Sequence, residues 1–248
     1  MINSGWIRVA IIVAFFAAVE AACRLGYIDS FSLIPPSQAA AALVEILANS
    51  TMNGPILKTL ASVTTALFAA FIVGVTVAIV VHRLPELRRT LDPLFAAYYS
   101  VPIFVFYPLF IVLFGLGSVS QILIGFLLAV VAVIVSTLDG LDAVPIVLLR
   151  TARSFRMGPA GTAFKVTLPS ALPYVFTGLK LASAYAFTGV IGSEFILSGT
   201  GLGYEISNAY ASFDNRTMYA LILLVIVLAG LVNIVFHRLE ILFKRQER

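Results

Sequence analysis

A chain of 248 residues that is 60% hydrophobic and 11% charged, with a mean hydropathy of +1.04, is too apolar for a soluble globular protein. We therefore expect a polytopic membrane protein. The net charge of +4 does not indicate nucleic-acid binding, because the basic residues lie in short loops where membrane orientation explains them. The single cysteine excludes an internal disulfide, and two histidines with that cysteine do not make a zinc cluster.

Six apolar segments are long enough to cross a bilayer as helices, which takes about twenty residues each. They cover 7–23, 60–81, 94–114, 121–138, 174–197 and 219–236. With the amino terminus inside, twelve of the sixteen basic residues are cytoplasmic, three are outside, and Lys180 is in the membrane. Since cytoplasmic loops carry the excess of Lys and Arg, both termini are predicted to be cytoplasmic. The predicted fold is all-α, with one transmembrane domain over 1–248 and a core bundle at about 55–240.

The third predicted span begins after Asp92 and Pro93 and contains two further prolines. Pro102 and Pro108 cannot donate hydrogen bonds to the carbonyls four residues earlier, so this helix is expected to kink or unwind. Aromatic residues surround the break, and ordinary packing or the lining of a solute path would each explain them. The candidate path residues here are Tyr98, Tyr99, Pro102 and Phe104.

The fifth predicted span has Lys180, Phe187 and Glu194 on one seam. This seam must face protein or water, because lipid would leave the ionisable groups without partners. Lys180 is expected to extend toward the cytoplasm. Phe187 and Glu194 are candidate path residues, although a structural hydrogen bond to a neighbouring helix explains Glu194 equally well. An opposite seam of small residues lets a neighbouring helix approach closely, namely Ala182, Ala186, Gly189 and Ser193.

A polar stretch at 148–173 separates the fourth and fifth predicted spans and contains four basic residues but no acidic one. This charge bias indicates a cytoplasmic loop. Asp142 or Ala143 can start a short helix there, with Pro145 in its first turn. The helix is expected to be broken before a second short helix by Gly158, Pro159 and Gly161.

Three arginines of this loop, Arg150, Arg153 and Arg156, fall within one arc of the predicted helix. Composition alone favours an interfacial helix whose arginines contact anionic lipid. The alternative is a helix whose basic face contacts a protein partner, and a resemblance favours that alternative.

The stretch resembles the cytoplasmic signature of permease subunits of binding-protein-dependent ABC importers, in which E-A-A, a glycine, an aliphatic residue and L-P recur. The second alanine, the aliphatic residue and L-P are matched by Ala152, Val166, Leu168 and Pro169. The glutamate, the first alanine and the glycine are replaced by Arg150, Thr151 and Arg156. Further stretches resemble the nitrate, sulfonate and taurine class, at 35–37, 87–93, 108–117 and 172–203.

The resemblance implies a multi-pass permease of the bacterial inner membrane, of the type I importer fold, for a small solute such as nitrate, a sulfonate or taurine. It implies two cytoplasmic ABC ATPase subunits, a second permease copy in a homodimer, and a periplasmic or lipid-anchored binding protein, in contact with membrane lipids and without nucleic acid. ATP and Mg would bind the ATPase, so this chain would have no catalytic residue, metal or cofactor. The coupling loop would cover about 142–170, with its ATPase contacts at Arg150, Thr151, Ala152, Arg153, Phe155, Arg156, Gly158 and Gly161.

Two other functional classes, a carrier or channel and an enzyme, are alternatives to the importer. A gradient-driven carrier or channel would need no ATPase, but such carriers usually place charges at mid-membrane or show paired broken helices, and only the third span is clearly broken here. An intramembrane enzyme is disfavoured, because His82 and His237 both lie at cytoplasmic ends of spans and no catalytic arrangement shares one depth. After the fifth span, a tight external turn is predicted at Gly199, Gly201 and Gly203.

Overall fold

The computed structural model describes residues 4–29 and 32–245, which form eleven α-helices and no β-strand. They are α1 Ser4–Arg24, α2 Pro36–Ala48, α3 Asn53–Arg83, α4 Pro85–Tyr98, α5 Tyr107–Phe114, α6 Ser118–Asp142, α7 Ile146–Ser154, α8 Pro159–Thr162, α9 Leu168–Ile196, α10 Leu202–Ala211 and α11 Asn215–Arg245. A 3₁₀ turn precedes α5, and a π-helical segment, Ala163–Thr167, joins α8 to α9. The predicted all-α fold is confirmed, while the outermost limits of the predicted domain, 1 and 248, lie outside the described residues.

Among the described helices, four are long and apolar enough to cross a membrane: α3, α6, α11 and the run Pro159–Ile196. A bent pair, α4 with Ile103–Phe114, makes a fifth. These correspond to the second through sixth predicted spans. The first predicted span is α1, a helix of 21 residues that is not in this set.

Helix α6 lies at the centre of the bundle. It has no charged residue before Asp139, and 13 of its residues are buried, as expected for a helix that is apolar on every side. Helices α3 and α9 pack against it. The core between these three helices includes side chains without exposed surface, namely Ala66, Val133, Ala186 and Val190.

The contact between α6 and α9 depends on glycine. A Cβ atom added to Gly189 would lie 2.7 Å from the Cα of Gly125, and one added to Gly178 would lie 2.5 Å from the Cβ of Ser136. The two backbones are therefore closer than any side chain would allow. The predicted seam of small residues on α9 is confirmed, since all four of its members are buried.

The predicted break in the third span is confirmed, with 93° between its two parts. The carbonyls left without α-helical donors are satisfied by tighter turns: Tyr98 O accepts from Val101 N–H at 3.1 Å, and Phe104 O accepts from Tyr107 N–H. The predicted start after Pro93 is wrong, because Pro93 lies inside α4. The helix begins at Pro85 instead, where proline at the first helical position costs no hydrogen bond.

Helix α10 was not expected, since the sequence predicted only a turn there. Its buried residues Leu202 and Ile206 pack against Leu221 and Leu224 of α11. The short helix α2 covers the same cluster through Leu43 and other apolar side chains. These contacts close one end of the bundle, beside the turn at 197–201.

We expect Gly189→Ala to destabilise the bundle by about 1–3 kcal/mol, because the added methyl group forces α6 and α9 apart. Gly230→Ala on α11 is the matched control. Apart from the neighbouring residues and the backbone of its own helix, no described atom lies within 4 Å of a Cβ built at Gly230, so this change should be neutral or stabilise the helix by up to about 1 kcal/mol. Thermal unfolding of the two variants in detergent measures the difference, and equal melting temperatures would contradict the packing described here.

Candidate functional site

The polar loop predicted to couple to a partner forms α7, a turn and α8. Helix α7 begins at Ile146, directly after Pro145. Asp142 is the last residue of α6, so the expectation that residue 142 or 143 starts the loop helix is wrong. The reason is that Pro145 has an extended backbone, with ψ 127°, which ends one helix and precedes the next.

Helix α7 ends in a Schellman motif. This motif includes Arg156, which stands where the family signature has a glycine. Met157 N–H donates to Ala152 O at 3.0 Å, and Arg156 N–H donates to Arg153 O at 2.9 Å. Arg156 occupies the left-handed position of this motif, with φ 49°. Glycine adopts that conformation without strain, which accounts for a glycine at this place in the signature. Arg156 therefore keeps the geometry of the turn at a cost of about 1 kcal/mol.

Most of the predicted coupling residues lie on the surface of the described structure. Ala152 is buried, at 2% exposure, on a helix that packs against the π-helical segment 163–167, while Phe155 is 77% exposed. The Thr151 hydroxyl donates to Val147 O at 2.9 Å and so stays within its own helix. The exposed members are Arg150, Thr151, Arg153, Phe155, Arg156 and Gly158, and Gly161 is half-buried within α8. The loop thus presents a basic and aromatic surface on a short fixed helix.

The base of this loop is joined to α4 by an ion pair that the sequence reasoning missed. Arg88 contacts both carboxylate oxygens of Asp142, with Nη1 to Oδ1 at 2.8 Å and Nη2 to Oδ2 at 2.6 Å. His82 Nδ1 of α3 lies 3.2 Å from Asp142 Oδ1. Helix α4 has no buried residue, so this bidentate pair is its strongest polar attachment to the core among the described contacts. The partners are 54 residues apart, and no local pattern could have paired them.

At the opposite end of α9, Glu194 and three residues around it form a hydrogen-bonded cluster with a fully buried carboxylate. This outer cluster consists of Thr59, Glu194, Leu202 and Gly203. Thr59 Oγ1 lies 2.8 Å from Glu194 Oε2 and donates to the carboxylate, and Gly203 N–H donates to the same oxygen at 3.0 Å. Leu202 N–H donates to Thr59 Oγ1 at 2.9 Å. Glu194 therefore makes the structural hydrogen bond that was one of its two predicted roles, and it lies at the N-terminus of α10, where a negative charge is stabilised.

Two of the three glycines in the predicted turn are required by this cluster. A Cβ atom at Gly201, whose φ is 114°, would lie 2.3 Å from the Glu194 carboxyl carbon, and one at Gly203 would lie 2.4 Å from Ile191 O. Gly199 has open space around it. The chain can therefore fold back over Glu194 only because residues 201 and 203 have no side chain. The side chains of Lys58 and Thr200 form a further hydrogen bond between α3 and the turn.

The six predicted path residues do not meet in one cavity. Tyr98 donates its hydroxyl to Leu127 O at 2.9 Å, and Tyr99 stacks on Tyr185 with ring centroids 5.2 Å apart. Of the six, only Tyr99 lines the cavity of about 440 Å³ between α4, α6 and α9. Elsewhere, Pro102 is exposed at the bend, Phe104 lies against Gly192, Phe187 is in the main core, and Glu194 is in the outer cluster.

The C-terminal end of α9 has two further attachments that the sequence did not indicate. The Tyr107 hydroxyl of α5 donates to Leu197 O at 2.5 Å. Gln121 Nε2 of α6 donates to Ser198 Oγ at 2.7 Å. Each pair is separated by more than seventy residues, so only the fold brings them together.

We expect Glu194→Gln to lower the stability of the folded chain by about 1–3 kcal/mol, because an amide has one fewer acceptor for the buried Thr59 and Gly203 donors. Solute uptake, the activity that the resemblance implies, should fall in proportion to the folded fraction. Thermal unfolding and uptake are measured on the same preparation.

Glu45→Gln is the control, since its exposed ion pair with Arg216 should contribute little to stability. If Glu194→Gln melted like the wild type but lost uptake, the carboxylate would act in the solute path and the structural role would be wrong.

Comparison with known proteins agrees with the family resemblance seen in the sequence. Residues 66–245 match the family described as binding-protein-dependent transport system inner membrane component. The taurine transport system permease protein TauC of Escherichia coli is 29% identical over 87% of this chain and 80% of its own length. The bicarbonate transport system permease protein CmpB of Synechococcus elongatus is 31% identical over 68% of this chain, and the matched part is 60% of its length. The nitrate import permease protein NrtB of Leptolyngbya laminosa is 28% identical over the same shares, 68% and 60%.

The fold is also similar to a solved structure. A chain of the MetNI methionine ABC transporter, in an inward-facing conformation, aligns with a TM-score of 0.67 and 20% identity, over 76% of this chain and 94% of that one. This likeness concerns the fold alone. The family match covers most of the chain, from within α3 through α11, and includes the whole predicted coupling loop. The chain therefore belongs to the inner membrane components of binding-protein-dependent transport systems, as a permease subunit of an ATP-driven ABC importer.

Proposed function

We propose that this permease imports a small oxyanion or sulfonate. The support is that relatives are named for taurine, bicarbonate and nitrate, solutes that share a negatively charged group rich in oxygen. The path through the membrane would be shared between two copies of the chain. A binding protein outside the inner membrane would deliver the solute and select it.

We further propose that ATP and Mg bind a separate cytoplasmic ATPase, of which two copies contact the two coupling loops. The exposed basic and aromatic surface of α7 supports this contact, since Arg150 and Phe155 are exposed on a short helix whose Ala152 is buried. Arginine and aromatic residues are enriched in protein interfaces. Both chain termini would lie on this cytoplasmic side, as the distribution of basic residues predicts.

In this proposal the chain performs no bond chemistry and transmits movement. When ATP draws the two ATPases together, each coupling loop moves with its ATPase, and the attached bundle rotates as a rigid body to expose the path to the other side. The observation that carries the proposal is the continuous helical run from Pro159 to Ile196, which joins the loop directly to the outer cluster. A gradient-driven carrier is not favoured, because nothing in that mechanism uses such a loop.

The proposal is tested in liposomes that contain the permease and its ATPase. We expect solute-loaded binding protein, added on the side opposite the ATPase, to raise ATP hydrolysis several-fold and to start solute uptake. Arg150→Glu should weaken copurification of the ATPase by about tenfold, equivalent to about 1.4 kcal/mol, because it reverses a charge in the contact.

Arg89→Glu is the matched control. Arg89 is also an exposed arginine, 79% accessible, but it lies at the start of α4 outside the coupling loop. Copurification that fell equally in both variants would reflect general charge loss. Hydrolysis that did not respond to loaded binding protein would contradict the proposed function.

A further inference from the structure

A second and larger cavity, of about 720 Å³, lies between the coupling loop and the bundle. Its wall is formed by the ends of α3 and α6, by α7, and by the segment from α8 to the start of α9. Most of the wall is apolar, with contributions from Val75, Ile79, Leu141, Leu149, Phe164 and Val175. Phe164 is 71% exposed and Leu168 39% exposed, so the cavity opens sideways onto the surface of the spans.

The charged side chains of the cavity wall are positive. The charged side chains that line it are both arginines, Arg83 at the end of α3 and Arg153 on α7, and no acidic residue is among the lining residues. His82, whose Nδ1 lies 3.2 Å from Asp142 Oδ1, also lines the cavity. The cavity therefore combines an apolar wall with two basic side chains, and one of them, Arg83, is the last residue of the membrane-spanning helix α3.

A buried hydroxyl group also faces this space. Thr137 is 2% exposed, lines the cavity, and its Oγ1 has no hydrogen-bond partner in the described structure. Buried polar atoms in folded proteins are almost always hydrogen-bonded. Water would satisfy the hydroxyl but would fill a mainly apolar cavity poorly. A ligand with oxygen acceptors and a hydrocarbon part fits the whole lining better.

We propose that this cavity binds one anionic phospholipid of the cytoplasmic leaflet, with its phosphate between Arg83 and Arg153 and its acyl chain against the apolar wall. Basic pockets between membrane helices on the cytoplasmic side suit such headgroups. The choice of leaflet rests on the proposed orientation of the chain. The bound lipid would connect the end of α3 to the coupling helix and so hold α7 in place.

The proposal separates arginines that the sequence grouped together. Arg150 and Arg153 lie on the same helix, yet of these two only Arg153 lines the cavity. Arg150 is therefore left for the ATPase, and Arg153 contacts lipid. Two roles were predicted for this helix, contact with anionic lipid and contact with a protein partner. In this proposal Arg153 has the first role and Arg150 the second.

Native mass spectrometry of the purified permease, with phosphatidylglycerol or phosphatidylcholine added in detergent, tests the site. We expect one phosphatidylglycerol per chain to be retained by the wild type, at least tenfold more than phosphatidylcholine. The double variant Arg83→Gln/Arg153→Gln should lose this preference. The matched double variant Arg89→Gln/Arg150→Gln, which removes the same charge outside the cavity, should keep it.

The melting temperature is a second measurement, which distinguishes the loss of lipid binding from misfolding. Phosphatidylglycerol should raise the melting temperature of the wild type and of the control variant, but not that of Arg83→Gln/Arg153→Gln. Equal retention of the two lipids by the wild type, or equal loss in both double variants, would overturn the site. Displacement of the lipid on binding of the ATPase would assign the cavity to that protein instead. None of these results depends on uptake, so the lipid site and the importer function can fail separately.

Discussion

The arrangement of the helices and of the two ends of the bundle depends on the continuity of one helix. From Pro159 to Ile196 the chain forms a single helical run of 38 residues, with a π-helical segment but no break. At 1.5 Å per residue it is roughly 55 Å long, enough to cross a bilayer and extend beyond it. One end carries the coupling loop and the other carries Glu194, so displacement at one end must reach the other.

This long helix is held along its length by different forces. In the middle, Gly125 and Gly189 let α6 and α9 approach so closely that their separation is fixed by backbone contact. At the C-terminal end of α9, Glu194 binds α3 and α10 through hydrogen bonds inside the protein. At the base of the loop, Arg88 ties the otherwise unburied α4 to α6. The described chain thus has a core of α3, α6 and α9, to which the less tightly packed α4 is attached by this ion pair, by the Tyr98 hydrogen bond and by half-buried apolar side chains.

Sequence reasoning predicted those parts of the fold whose signals are local. Hydropathy placed five spans, the proline spacing of Pro102 and Pro108 placed the break, and the seam of small residues on α9 identified a close helix contact. Sequence reasoning did not predict contacts between residues that are far apart in the sequence. Thr59 and Glu194 are 135 residues apart, and Arg88 and Asp142 are 54 apart, so nothing nearby in the chain marks them as partners. Helix α10 was missed because the three glycines around its start, Gly199, Gly201 and Gly203, indicate a turn, while the helix is stabilised by packing on α11.

The central claim is that the coupling loop and the outer end of α9 move as one rigid body. Pulsed electron resonance can test it with spin labels at exposed positions 160 and 195 of one copy, in a background where the single cysteine, Cys23, is replaced by Ser. The account predicts that this distance stays the same with and without ATP, while the distance between labels at position 160 in two copies shortens. A change of the distance within one chain, showing a hinge in α9, would contradict it.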